Sequence, residues 1–159
     1  LPESQLDRFM ICVSMGYPTV EEEMEIMRRS REDDRTAGIR PILDAPALLE
    51  MMGGAKEIFM HERISRYIAE LAKATREDPW TELGLSPRGT VALTAMSKAC
   101  AYLKGRAYVI PSDVEEVFPC VVSHRLILNM KAKVGHIKVE EVVRQILENT
   151  EKPALRTRR

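Results

Sequence analysis

The sequence predicts a mainly α-helical protein, and three observations carry that expectation. Ala, Leu, Met, Glu and Arg dominate a chain with only 5% aromatic residues, a composition that suits helices. Between Glu62 and Arg76, Ile64, Tyr67, Ile68, Leu71, Ala72 and Thr75 recur at helical spacing on one face. Ser86-Pro87 then pairs a favoured N-cap with a proline at the first helical position, and the stretch from Val91 to Leu103, free of Gly and Pro, leads to a stop at Gly105.

Taken in order, Leu1 to Met10 is a polar approach, and Ile11 to Met15 is a short β-prone run closed by Gly16-Tyr17-Pro18. A strand apolar on both faces needs a sheet, and the remaining sequence supplies none, so the sheet is expected to belong to a missing N-terminal part. Thr19 with Glu22 forms a capping box for a helix whose Glu21 to Glu23 start and Arg28, Arg29 and Arg31 end match the helix dipole. Arg31 to Asp44 reads as a solvated linker. Ala47 to Met52 is expected to form a short helix ended by Gly53-Gly54, with Ile58 to Met60 extended.

Asp78-Pro79 closes the Glu62 helix, and Trp80 anchors the loop that leads to Ser86. Tyr108 to Ile110 is extended and suited to pair with Ile58 to Met60. Pro111-Ser112-Asp113 with Glu115 opens a helix through Arg125, with a kink or break expected at Pro119. A last helix carries Val139, Val142, Val143, Ile146 and Leu147 on one stripe, and the tail from Glu151 is expected to be frayed.

With 159 residues, 45% of them hydrophobic, the chain can bury a substantial core as one soluble domain. Lys plus Arg and Asp plus Glu are equal at 24 each, so no overall field draws it to nucleic acid or an anionic membrane. Cys12, Cys100 and Cys120 are odd in number and set among apolar residues, which reads as reduced core thiols in a cytoplasmic protein. These residues hold no membrane-length apolar run and no pattern of a secretory n-region and h-region. The start at Leu1 reads as a fragment or a processed piece.

Metal and phosphate-loop readings fail on spacing. His61-Glu62-Arg63-Ile64-Ser65 places Ser where a second zinc ligand is required, and Gly53-Gly54-Ala55-Lys56 lacks the interval and the hydroxyl of a phosphate loop. His61, His124 and His136 have no ligand spacing, so no metal site is expected. Asp33-Asp34 and Glu21 to Glu23 read as solvated faces. Arg88 is the informative residue, because a cation in the first turn sits against the electropositive end of its own helix. Either a phosphate, met by backbone donors and a guanidinium fork, or a nearby carboxylate would relieve that conflict.

The segment Leu1-Pro2-Glu3-Ser4-Gln5-Leu6-Asp7-Arg8-Phe9 resembles the arginine-finger segment of MoxR-type AAA+ ATPases, with Gly16-Tyr17-Pro18 following as in that family. Further marks agree in order: Ala74-Thr75-Arg76, Gly84 to Gly89, Gly105-Arg106-Ala107 through Val114, and His124-Arg125-Leu126. The resemblance implies an AAA+ lid-type helical bundle with a short N-terminal strand left over from an α/β core. Residues 1–18 would end that core, 19–150 would form the lid and 151–159 a flexible tail. It implies Arg8 as an arginine finger reaching the neighbouring subunit's nucleotide. Arg88 would be the sensor-2 arginine for the nucleotide of its own subunit, with Ser86, Pro87 and Gly89 shaping that nucleotide-binding turn. It also implies ATP and Mg²⁺ in the full-length protein and neither bound by this piece, which lacks a phosphate loop and the acidic pair for Mg²⁺. A six-subunit ring, a chaperone-like action on a client of unknown identity, and a von Willebrand factor A domain partner follow from the same resemblance. The competing readings are the lid of a related AAA+ protein such as a magnesium chelatase ATPase subunit, and a stand-alone helical interaction module without nucleotide chemistry.

Overall fold

The computed structural model describes residues 3–29 and 38–154. Arg31, Asp33-Asp34, the first half of the 31–44 linker and the arginines of the tail lie outside the described residues. The elements run α1 (Glu3–Leu6), α2 (Val20–Arg29), α3 (Ala45–Glu57), α4 (Glu62–Glu77), β1 (Thr81–Leu83), α5 (Pro87–Leu103), α6 (Pro111–Val122), β2 (Ile127–Leu128), α7 (Met130–Val134) and α8 (Val139–Asn149).

The core lies between α4, α5, α6 and α8. Helix α4 buries Ile64, Tyr67, Ile68, Leu71, Ala72 and Thr75, the face its periodicity marks. Leu93 of α5, Phe118, Val121 and Val122 of α6, and Val142 of α8 are fully buried against it. Each such large side chain contributes about 1.5–3 kcal/mol by leaving water. Helix α5 packs most extensively on α6, α3 lies on α5, and α8 rests on α4 and α6.

Local chemistry explains most element boundaries. Thr19 and Glu22 exchange the expected capping bonds at the start of α2, which buries no residue. Helix α5 runs from Pro87 to Leu103 and stops before Gly105, whose φ of +68° is a conformation that favours glycine. Phe59 and Tyr108 form an isolated parallel bridge, joining the two segments read as extended.

The structure corrects several expectations. Helix α3 begins earlier, at a cap where Asp44 accepts from the Ala47 N–H at 2.9 Å with a proline in the first turn, and it continues through both glycines. At Gly54 an added Cβ would lie 2.6 Å from the Tyr102 ring, so that glycine serves close packing of α3 on α5. Helix α6 is not broken at Pro119: the proline is exposed, and Phe118, Val121 and Val122 are packed on either side of it. Its N-terminus is capped by Asp113, which accepts from the Ile110 N–H at 2.9 Å, and not through Ser112 or Glu115.

Ile11 to Met15 takes no strand assignment and pairs with no strand among the described residues. Its Cys12 N–H donates to the Cys120 carbonyl at 2.8 Å. All three cysteines are free, but only Cys100 is buried, while Cys12 is exposed. The start of the tail is docked and not frayed: Lys152 pairs with Glu115 at 2.9 Å, and the Arg63 guanidinium donates to the Ala154 carbonyl at 2.9 Å. Two elements escape prediction. β1 and β2 form an antiparallel ladder pairing Thr81 with Leu128 and Leu83 with Ile127, and α7 is capped by Asn129, which accepts from the Ala132 N–H. Trp80 is partly buried against the core, and its carbonyl accepts from the Asn129 N–H at 2.9 Å beside that ladder.

Candidate functional site

The start of α5 is built by a loop held from below. The Gly84-Leu85 backbone lies directly on the end of α4: a Cβ at Gly84 would sit 2.6 Å from the Thr75 carbonyl and 2.7 Å from the Arg76 backbone. The buried Thr75 hydroxyl accepts from the Leu85 N–H at 2.9 Å, and Arg76 donates through Nε to the Leu85 carbonyl at 2.7 Å. Both backbone groups of Leu85 are thereby satisfied, and the next residue is fixed. Ser86 then caps α5, its Oγ accepting from the Gly89 N–H at 3.1 Å, with Pro87 at the first helical position.

Gly89 must be glycine for a packing reason. An added Cβ would meet Leu85 Cδ1 at 2.4 Å and Arg125 Cδ at 3.0 Å. The stem of Arg125 therefore runs beneath the first turn of α5, next to Arg88. The Arg125 side chain is 2% exposed, and its five N–H groups meet five oxygens. Nε donates to Asp7 Oδ1 at 3.1 Å, Nη2 to the carbonyls of Asp7 (3.1 Å) and Phe9, and Nη1 to the carbonyls of Met10 (3.2 Å) and Val121. Burial works against its charge, Asp7 supports that charge, and Arg88 adds repulsion, so the net displacement of its pKa is downward.

Asp7 closes the arrangement. Its carboxylate accepts from the Ser86 hydroxyl at 3.1 Å, so the anion nearest the α5 start comes from the segment that carries Arg8. His124 Nε2 lies 3.0 Å from the Phe9 carbonyl, while its Nδ1 is buried with no partner among the described residues. Arg125 Nη1 lies 2.8 Å from the same Nε2, so this ring nitrogen faces a donor as well as an acceptor. A cleft of about 1020 Å³ opens beside this contact, with Leu6, Asp7, Ser86, Pro87, His124 and Arg125 among its walls.

Arg8 and Arg88 are exposed, and neither guanidinium forms a hydrogen bond or ion pair among the described residues. The carboxylate reading of Arg88 therefore has no support among those residues, and Asp7, the neighbour suited to neutralise Arg8, is occupied by Arg125 and Ser86. The predicted residues Ser86, Pro87, Arg88 and Gly89 thus stand on one helix start, and the Asp7–Ser86 bond brings the Arg8 segment to it. Thr75, Arg76, Gly84, Asp7 and Arg125 are the residues whose roles pattern reading missed. Asp7 and Arg125 stand far apart in sequence, beyond the reach of any local periodicity. Among the described residues, no group of three His, Cys, Asp or Glu stands together as a metal site, and no helix is long and apolar enough to cross a membrane.

A mainly helical bundle with a small two-stranded sheet is the architecture of an AAA+ lid. In agreement, residues 73–146 match the AAA lid domain family. The chain is 33% identical over 157 residues to the uncharacterised protein YeaC of Bacillus subtilis, covering 99% of this chain and 49% of that protein. It is 35% identical over 162 residues to the chaperone MoxR1 of Mycobacterium tuberculosis, covering 96% of this chain and 42% of that one. The crystal structure of a candidate ATPase from Cytophaga hutchinsonii superimposes with a TM-score of 0.85 at 31% identity, over 97% of this chain and 49% of its own. The chain is thus a homologue of MoxR proteins over nearly its whole length and carries an AAA lid domain. It spans about half the length, or less, of the curated relatives it matches.

Proposed function

We propose that this chain is the finger-and-lid portion of a ring-forming MoxR-type ATPase that remodels or activates client proteins, with Arg8 as the arginine finger and Arg88 as the sensor-2 arginine. In this reading residues 1–18 end the nucleotide-binding core, 19–150 form the lid, and ATP with Mg²⁺ is held by core residues outside this chain. A von Willebrand factor A domain protein is the proposed partner. The observation that carries the proposal is the Asp7–Ser86 contact. It ties the segment that carries Arg8 to the helix start that carries Arg88, and both arginines are without a carboxylate partner among the described residues.

The chemistry suits phosphoryl transfer. That reaction asks little covalent work of a protein, and positive charge brought to the γ-phosphate by an arginine finger supplies about 10³ to 10⁵ in rate. The first-turn amides of α5 and the Arg88 fork together favour a phosphate oxygen. Because Asp7 and Ser86 are bonded within one chain, we take Arg8 and Arg88 to serve the same triphosphate, a departure from the split between neighbouring and own subunit that the resemblance implies. Lid motion on hydrolysis then carries the finger with it, passing movement around the ring.

The test is subunit mixing in the full-length protein. Arg8→Ala is expected to bind ATP and to turn it over roughly 10³-fold more slowly. Arg88→Ala is expected to weaken turnover by about tenfold or more, the worth of a charge-assisted bond. Mixing each with subunits whose phosphate loop is disabled should restore part of the activity in both cases. Rings that form but regain nothing from Arg8→Ala would remove the in-trans assignment.

A further inference from the structure

Arg125 is buried beneath the α5 start, and it makes a dense set of polar contacts at this site. Its acceptors include the carbonyls of Asp7, Phe9 and Met10, which flank Arg8 on both sides, and the Asp7 carboxylate. Its stem passes under Gly89, the residue after Arg88. A fourth carbonyl, that of Val121, ties the same guanidinium to the end of α6. One buried side chain therefore touches the backbone around the first arginine and packs beneath the helix turn that bears the second.

We propose that Arg125 is a positioning residue that fixes the bearing of Arg8 relative to Arg88, so that finger segment and lid move as one rigid body. The proposal deepens the functional reading above and rests on it for its kinetic consequence, but its structural consequence stands alone. A planar fork with five donors can hold carbonyls on both sides of Arg8 at once, whereas a lysine ammonium offers one compact point of attachment. Among the described residues the segment's other ties to the lid include the Cys12 N–H to the Cys120 carbonyl, Asp7 to Ser86, and His124 Nε2 at the Phe9 carbonyl.

Arg125→Lys in the full-length protein tests this, with hydrogen exchange and kinetics read together. The amides of Arg8, Phe9 and Cys12, which bond to the carbonyls of Gln5, Leu6 and Cys120, should exchange roughly tenfold faster while those of α4 stay unchanged. Turnover should fall by about tenfold to a hundredfold, with KM for ATP within about twofold, as expected when a catalytic group is misplaced and not removed. In an Arg8→Ala background the same substitution should add less than about a twofold loss, because Arg125 acts only through Arg8. Unchanged exchange over residues 5–12, or losses that multiply in the double variant, overturns the proposal. If Arg8→Ala alone leaves turnover intact, the nucleotide reading has failed, and the exchange result still decides the positioning role. If Arg125→Lys does not fold, Asp7→Asn replaces it; roughly threefold faster exchange over the same residues supports the proposal, and none overturns it.

Discussion

Asp113 shows how a single residue sets the geometry of a helix start. Its side chain is fully buried, yet it accepts from both Arg106 amino groups, from the Ile110 N–H at 2.9 Å and from Lys104 at 3.4 Å. Burial pushes its carboxyl pKa up, and Arg106 with the Ile110 amide outweighs that push, so the group lies below its ordinary range. Removing one partner of such a pair leaves an uncompensated charge, and Asp113→Ala should cost about 3 kcal/mol in urea unfolding. The sign of the pH dependence follows from the depressed value. The stabilisation is fully present above the unfolded carboxyl pKa of about 4 and is lost as pH falls through the folded value. The wild-type stability margin over Asp113→Asn should therefore hold above about pH 4 and shrink as pH falls further; a margin that does not change would contradict the assignment. Gly84 makes the parallel case for the site. Its Cβ space is filled by the α4 backbone, so Gly84→Ala should destabilise by about 3 kcal/mol and displace the loop that presents Ser86.

Among the elements, α3 is where close packing overrides local propensity. Gly53 faces open space and Gly54 faces the Tyr102 ring. Gly53→Ala should raise stability by about 1 kcal/mol through helix propensity alone, and Gly54→Ala should lower it by about 1–3 kcal/mol through overpacking. Thermal unfolding of the pair reads both signs, and equal shifts would show that α3 does not pack as described. The same helix shows why a glycine pair was misread from sequence: propensity marks a stop, and only the neighbouring α5 face reveals a need for small residues. Helix α4 and helix α5 were legible because an apolar stripe and a Ser-Pro to Gly frame are local signals. β1 and β2, three and two residues long, carry no alternation to read, and their pairing joins segments on either side of α5 and α6.

At the scale of the whole molecule, the lid domain and the arginine-bearing segment before it form one continuous contact across Asp7, Ser86 and Arg125. Ser86, Pro87, Arg88 and Gly89 were identifiable as a helix start from sequence, and Arg8 only through a resemblance. That the Arg8 segment meets this helix start was not legible, because the contact joins side chains 79 and 118 residues apart. If the two arginines serve one triphosphate, ATP binding should stiffen residues 5–12 and the first turn of α5 together, an outcome that hydrogen exchange with and without a non-hydrolysable ATP analogue would show. The most direct measurement is a structure of the full-length ring bound to such an analogue. The account predicts the Arg8 and Arg88 guanidinium groups of one chain on the same triphosphate, with the Asp7–Ser86 bond intact. Either arginine turned away from every nucleotide in the closed ring, or the two divided between different nucleotides, would contradict it.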